Sequence, residues 1–257
     1  MPIEQVEQTG VAVARVVALY RYPVKSMRGE RIEATAVSWH GVAGDRRYAF
    51  VRGDDASGFP WLTARQVPQM VRYTPRFVDP ARPRESAVVV RLTDGRELPV
   101  TSAALLEDLA GRYRAPGPIH LLQISRGAHD SAGISIISTT TLNTLSDRVG
   151  EELDPVRFRP NIVVELLPGA KGTEDEWADG LACFGERADS ARVRANRKDV
   201  RCMMVNLDPE TAQQNPAVLR AVVQMRAECA GIYGAVEAPG TIQVGDIVWL
   251  TRVTSGE

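Results

Sequence analysis

The sequence predicts a mixed α+β fold rich in β structure: a β-barrel-like N-terminal unit, then a second unit that closes as a β-barrel with helices at its periphery. Three observations carry this expectation. Runs of β-branched and aromatic residues dominate the N-terminal part, helical periodicity enters only in short capped stretches, and the C-terminal run alternates again to its end.

Taken in order, "VARVVALYRYPV" (Val13 to Val24), "RIEATAVSW" and "RRYAFV" read as strands, and "SAVVVRLTDGRELPV" as a hairpin turning at Asp94-Gly95. "TSAALLEDLAGRY" changes period: Leu105, Leu106 and Leu109 share a helical face, Thr101 or Ser102 caps the start and Gly111 the end. Proline and glycine cluster in "RAPGP", Arg114 to Pro118, which sets the boundary between units 13–114 and 119–253. Beyond it, "STTTLNTLSDRVG" predicts a helix capped near Ser138, with Leu142, Leu145 and Val149 inward and Gly150 as its stop. "FRPNIVVEL" predicts a strand, and Leu167 to Gly180 a polar loop long enough to be a mobile cover. Strands follow around Arg192 to Val200 and from Cys202 to Leu207. A helix through "NPAVLRAVVQMRAECAG" has Asn215 as cap and Pro216 in first position, and the closing strands turn at Pro239-Gly240 and Gly245-Asp246.

Composition narrows the function classes. At 257 residues, 44% hydrophobic and 25% charged, the chain has the usage of an ordinary soluble globular protein. A formal net charge of −1 gives no bulk attraction to nucleic acid or to an anionic membrane, and no apolar run is long enough to span one. The acidic start "MPIEQVEQTG" lacks the pattern of a signal or transit peptide, so the expected compartment is a reducing cytoplasm. Three widely spaced cysteines without a CxxC pair exclude a disulfide framework, a four-cysteine zinc site and an internal iron–sulfur cluster. HExxH, GxSxG, P-loop and GxGxxG motifs are absent, and His40, His120 and His129 are isolated from one another.

Some polar clusters beside apolar strands remain. Lys25 and Ser26 follow the strand ending in Tyr22-Pro23-Val24, where an ammonium and a hydroxyl suit an anion; a solvated loop is the competing account. In "GVAGDRRYAF", Arg46 and Arg47 alternate in direction, so one can face a ligand, or Arg46 simply pairs with Asp45. Arg159 and Asn161 flank Pro160, placed to aim a guanidinium fork and an amide at a polar ligand, or to form a turn. Cys202 follows a stretch with six basic residues, Arg187, Arg192, Arg194, Arg197, Lys198 and Arg201, a field that favours thiolate. Against this stands the ordinary fate of a lone cysteine, a small buried apolar side chain. Cys183 is expected in a loop without such a field, and Cys229 in a helix core.

Together "YPVKS", "GDRRYAFV", "LTARQVPQM", "FRPNIVVE", "RCMMVNLDPETA" and "PGTIQVGDIVWL" resemble, in the same order, the signatures of MOSC-domain proteins that carry an N-terminal MOSC β-barrel domain. The bacterial YcbX-like proteins and the mitochondrial amidoxime-reducing component are of this kind. The resemblance implies a molybdenum cofactor, molybdenum held by a molybdopterin with a phosphate tail, with Cys202 as the protein's metal ligand. It also implies that Lys25, Ser26, Arg46, Arg159, Asn161 and Arg201 hold the pterin and its phosphate, with Ser138 beside the cofactor. The implied reaction is a two-electron reduction in which an N-hydroxylated small molecule loses its oxygen as water.

The sequence ends after "WLTRVTSGE" without the cysteine-rich ferredoxin-like tail of some relatives, so electrons are expected from a separate ferredoxin- or flavin-type donor. Two other functions stay open on the same scaffold. One is a cofactor or sulfur carrier bearing a persulfide on Cys202, a sulfur transfer independent of pyridoxal phosphate. The other is a protein recruited to biosynthetic chemistry.

Overall fold

In the computed structural model, which describes residues 10–114, 117–170 and 172–252, the first strand, β1 (Val11–Arg21), joins the two halves of the sequence. Chain order then gives β2 (Glu30–Ile32), β3 (Ala34–Ser38), β4 (Gly41–Val42), β5 (Tyr48–Arg52), β6 (Thr74–Phe77), β7 (Val88–Arg91), β8 (Glu97–Pro99), α1 (Ala103–Arg112) and β9 (Ile119–Gln123). The second half adds β10 (Ile134–Ser138), α2 (Thr139–Val149), β11 (Ile162–Leu166), β12 (Gly180–Phe184), β13 (Arg192–Val200), α3 (Pro216–Arg226), β14 (Cys229–Ala238), β15 (Gly240–Gln243) and β16 (Ile247–Arg252). The acidic start, the linker residues Ala115 and Pro116, Lys171 and Val253 lie outside the described residues.

Seven strands close into a barrel in the order β11-β10-β14-β13-β12-β16-β1, and β1 returns to β11 to complete it. β1 runs antiparallel to β16 from Val11↔Leu250 and to β11 from Ala14↔Leu166 to Leu19↔Ile162. The one parallel step, Ile136↔Ile162 between β10 and β11, needs a crossover, and α2 supplies it. Interior positions are filled by small and branched side chains, among them Ala14, Val16, Ala182, Val193, Ala195, Ile232 and Val248, which suits the narrow bore of a small barrel. α2 and α3 cover the outside, packing Leu142, Leu145, Val218 and Val222 against Ile137 and Val163.

The N-terminal unit builds a separate core from β5, the β6-β7-β8 sheet and α1, with Phe50, Leu62, Met70, Tyr73, Val88, Leu105 and Leu109 buried. Ser102 caps α1 by accepting from the Leu105 amide, as its sequence predicts. Strand β9 pairs with β5, Phe50↔Leu121, and β15 pairs with β3, Ile242↔Thr35, so elements of both sequence units interleave.

Four expectations are corrected. Residues 203–206 form a 3-10 turn rather than a strand, because β13 already has β12 and β14 on its two sides and a closed barrel offers no edge. α3 stops at Arg226: Ala227 and Glu228 both take left-handed conformations, and Cys229 opens β14 instead of extending the helix. Cys183 sits buried in β12, not in a loop. Within the expected cover, Glu174 and Trp177 are buried, the first accepting from the Thr141 hydroxyl at 2.8 Å, so this part of the segment is anchored to the barrel.

Candidate functional site

The chain leaves the barrel after Arg21 and re-enters it with β10 at Ile134, and the segments that connect the barrel strands carry the polar residues of the site. Lys25 and Ser26 follow β1, and the Lys25 amide donates to the Tyr48 carbonyl at 2.8 Å, which fixes the loop to β5. Arg46 lies in the turn before β5, not on the strand, while Arg47 turns away to donate to the Pro83 and Ser86 carbonyls. Arg159 ends the 3-10 turn Pro155–Phe158, and Arg201 and Cys202 follow β13. Ser26, Arg46 and Arg159 all take positive φ, 65°, 48° and 52°, although none is glycine. Such backbone costs about 1–3 kcal/mol per residue and persists where surrounding contacts impose it, often at sites of function.

These residues line one cavity of about 210 Å³, together with Phe59, Thr63, Arg65, Asp130, Ser131, Ser135, Arg157, Asp199, Met204 and Tyr233. Six of the lining side chains are cationic (Lys25, Arg46, Arg65, Arg157, Arg159, Arg201) and two are carboxylates. Lys25, nearly buried, donates to the Ala128 carbonyl at 2.7 Å, pairs with Asp130, and lies 5.7 and 5.6 Å from the Phe59 and Trp61 ring centroids. Burial pushes its ammonium below the usual lysine value, with Arg46 and Arg159 adding repulsion against the pull of Asp130. Arg46 pairs with the buried carboxylate of Asp45, as the alternative reading of "GDRR" held, and still reaches the cavity with Nη2 on the Arg159 carbonyl at 3.2 Å.

Arg159 donates through Nη1 to the Met27 carbonyl at 2.7 Å, but its Nη2 is buried without a hydrogen-bond partner. Burial and then Arg46 push this guanidinium down to about 10. Arg201 donates to the carbonyls of Ala230 at 2.7 Å and Phe158 at 2.6 Å; its Nη2 lies 2.7 Å from Asp199 Oδ2, a charge contact without hydrogen-bond alignment. Gly231, at φ 90°, makes room for this arginine, since a Cβ there would sit 3.1 Å from Nη2. Cys202 is half-buried in extended backbone at the head of the 203–206 turn. Among the described residues its thiol makes no hydrogen bond, and no three His, Cys, Asp or Glu side chains converge as a metal cluster.

Six of the eight residues singled out from sequence therefore meet in one cavity: Lys25, Ser26, Arg46, Arg159, Arg201 and Cys202. Asn161 and Ser138 do not line it. Asn161 ties strands together, accepting from the Ser135 amide at 3.2 Å and donating to the Tyr20 carbonyl at 3.3 Å. Ser138 caps α2, accepting from the Thr141 amide at 3.1 Å. Sequence reasoning missed Arg65, Asp130, Ser135, Asp199 and Tyr233. "LTARQ" is the available signal for Arg65, and Asp199 stands in the sequence as one acidic residue within a basic run.

Two family models match the chain: "MOSC N-terminal beta barrel domain" over residues 13–111 and "MOSC domain" over residues 123–249. The chain is a MOSC-domain protein with an N-terminal MOSC barrel. Curated relatives of this MOSC protein include mitochondrial amidoxime-reducing component 1 of Mus musculus and of Homo sapiens, each 28% identical over 134 residues. That match covers 47% of this chain and 37% of either relative, so the chain spans well under half their length in the comparison. A solved structure, YuaD of Bacillus subtilis, aligns at 15% identity over 94% of this chain and 97% of that one, with a TM-score of 0.48. No helix among the described residues of the MOSC protein is long and apolar enough to cross a membrane.

Proposed function

We propose that this MOSC protein holds the molybdenum cofactor in the cavity between Lys25 and Cys202 and reduces N-hydroxylated small molecules there, using electrons from a separate ferredoxin- or flavin-type donor in a reducing cytoplasm. The observation that carries the reading is the Arg159 guanidinium, buried with its Nη2 unpartnered, while Lys25, Arg46, Arg157 and Arg201 around the same cavity each have a carboxylate beside them, in Asp130, Asp45, Asp208 and Asp199. Desolvated cations without anions are costly, so such a cavity fits an anionic guest such as a phosphate-tailed pterin.

When bound, the cofactor supplies the two-electron redox centre. Arg159, Arg46, Lys25 and the Ser26 hydroxyl face its anionic part, and Arg201, braced on two carbonyls, fixes the chain just before Cys202. Cys202 offers one soft thiolate, which suits molybdenum. Phe59 and Met204 give the cavity an apolar side that limits water. Asn161 and Ser138 act at a distance, by holding β10, β11 and α2 in place.

The relatives named for amidoxime reduction support the substrate class. The test is a turnover assay with chemically reduced protein, a hydroxylamine and an amidoxime, following amine formation. Amine formed by wild type and not by Cys202→Ala supports the reading. Molybdenum-loaded protein that forms no amine overturns it, and sulfur released from its thiol by cyanide would then favour the carrier function.

A further inference from the structure

Asp199 is the penultimate residue of β13, three residues before Cys202; it is 1% exposed and lines the cavity. Its Oδ2 is engaged: the Ser135 hydroxyl donates to it at 2.8 Å and Arg201 Nη2 lies 2.7 Å away. Its Oδ1 is buried without an aligned hydrogen bond, although the Tyr233 hydroxyl acts on the same carboxyl group. A carboxyl oxygen left so is destabilising in any site that is already complete. In a cavity otherwise furnished with cations, it marks a position whose partner arrives with the bound molecule.

We propose that Asp199 is the catalytic proton donor of this cavity, delivering a proton to the oxygen released from the substrate, with Ser135 and Tyr233 positioning its carboxyl group. The proposal rests on the reductase reading above. For a hydroxylamine, R–NH–OH, two electrons and two protons give R–NH2 and water. The N–O bond breaks, the electrons originate in the reduced donor protein, and the substrate nitrogen is reduced. One proton passes from Asp199 to the departing hydroxyl, which leaves as water; the other reaches nitrogen from solvent. Asp199 regains its proton from water as product leaves.

The surroundings favour a carboxyl that can carry this proton. Burial raises Asp199 above the usual carboxylate range, against the opposing pull of Arg201, Ser135, Tyr233 and, farther away, Arg46. These groups come from the segment after β13, from β10, from β14 and from the turn before β5. Asp130, the other carboxylate of the cavity, is 56% exposed at its side chain and already paired with Lys25, which leaves it nothing to give.

The test compares holoenzyme and its Asp199→Asn variant at matched molybdenum and pterin content. We expect that content to be unchanged, KM to move little, and kcat to fall about 100-fold to 10,000-fold, with loss of the decline in rate that wild type shows as pH rises. Asp199→Glu should recover part of the rate. A readout that needs no turnover is infrared difference spectroscopy, in which a protonated-carboxyl band present in wild type and lost on raising pH should be missing from Asp199→Asn. Wild-type kcat in the variant, activity that falls only in step with lost cofactor, or absence of that band overturns the proposal. Wild-type protein that carries neither molybdenum nor pterin overturns the reductase reading itself, and this proposal with it.

Discussion

The Arg159 guanidinium lies over the Tyr22 ring, its central carbon 4.3 Å from the ring centroid. Arg46 approaches the same ring at 4.9 Å, so one aromatic side chain helps to accommodate two like charges that converge on the cavity. Tyr22 is fully buried, and Gly29 lets it in: a Cβ at that position would be 2.5 Å from the ring. The Tyr22 hydroxyl has no hydrogen-bond partner, so Tyr22→Phe should change stability by less than about 1 kcal/mol. Tyr22→Leu should cost about 2–4 kcal/mol in urea denaturation, through lost packing and lost cation–π contact. A Tyr22→Phe variant as unstable as Tyr22→Leu would assign the effect to the hydroxyl instead.

Arg159 itself should trade stability for binding. Its guanidinium is desolvated and faces Arg46, and no carboxylate pairs with it among the described residues. Arg159→Gln is expected to leave the thermal midpoint of the ligand-free protein unchanged or raised, by up to about 1–2 kcal/mol of stability, while pterin recovered with the protein falls sharply. Lower stability with normal pterin content would mean that the arginine is structural.

Gly231 should tolerate no side chain. Alanine there would adopt φ 90°, with its Cβ 2.6 Å from the Ile136 carbonyl oxygen and 3.1 Å from Arg201. Gly231→Ala is expected to lose about 1–3 kcal/mol of stability and to displace Arg201, reducing cofactor retention. Retention equal to wild type would show that Arg201 does not need its present course.

Acid stability should depend on His129. Burial, reinforced by Arg46 and Lys25 and opposed by Asp45 3.7 Å away, pushes this imidazole down to about 4 from an ordinary value of 6.5. The unfolded chain therefore takes up this proton first as pH falls. The stability is present in full above about pH 6.5 and is lost on acidification towards pH 4, by about 3 kcal/mol at most. Urea midpoints followed over that range should fall in wild type and flatten in His129→Gln; parallel curves would remove His129 as the cause.

The parts of the fold legible in the sequence are those fixed by local chemistry. The Ser102, Ser138 and Asn215 caps, Pro216 at a helix start, the turn at Asp94-Gly95 and the alternation of β1 all depend on near neighbours. The pairings of β9 with β5 and of β15 with β3 depend on residues far apart in the chain, and period alone carries no trace of them. Cys202 to Leu207 has the apolar look of a strand but meets a barrel with no edge left to extend. The end of α3 was hidden because Ala227 and Glu228 take left-handed backbone without a glycine to announce it.

Within the site, the cations were legible because motif order marked them, yet the left-handed backbone at Ser26, Arg46 and Arg159 that gathers them was not. Asp199 was invisible as a site residue for a different reason. Only the structure separates a carboxylate that neutralises a basic run from one that faces a cavity with an oxygen lacking an aligned hydrogen bond.

Metal and pterin stoichiometry test most directly whether Cys202 holds molybdenum in this cavity, as proposed. Protein purified without oxygen from a host that makes the cofactor should carry molybdenum, by mass spectrometry, and oxidised pterin, by fluorescence, each near one per chain. Cys202→Ala should lose the metal and keep at most part of the pterin. Wild-type protein with neither, or a Cys202→Ala variant with as much molybdenum as wild type, would contradict the account.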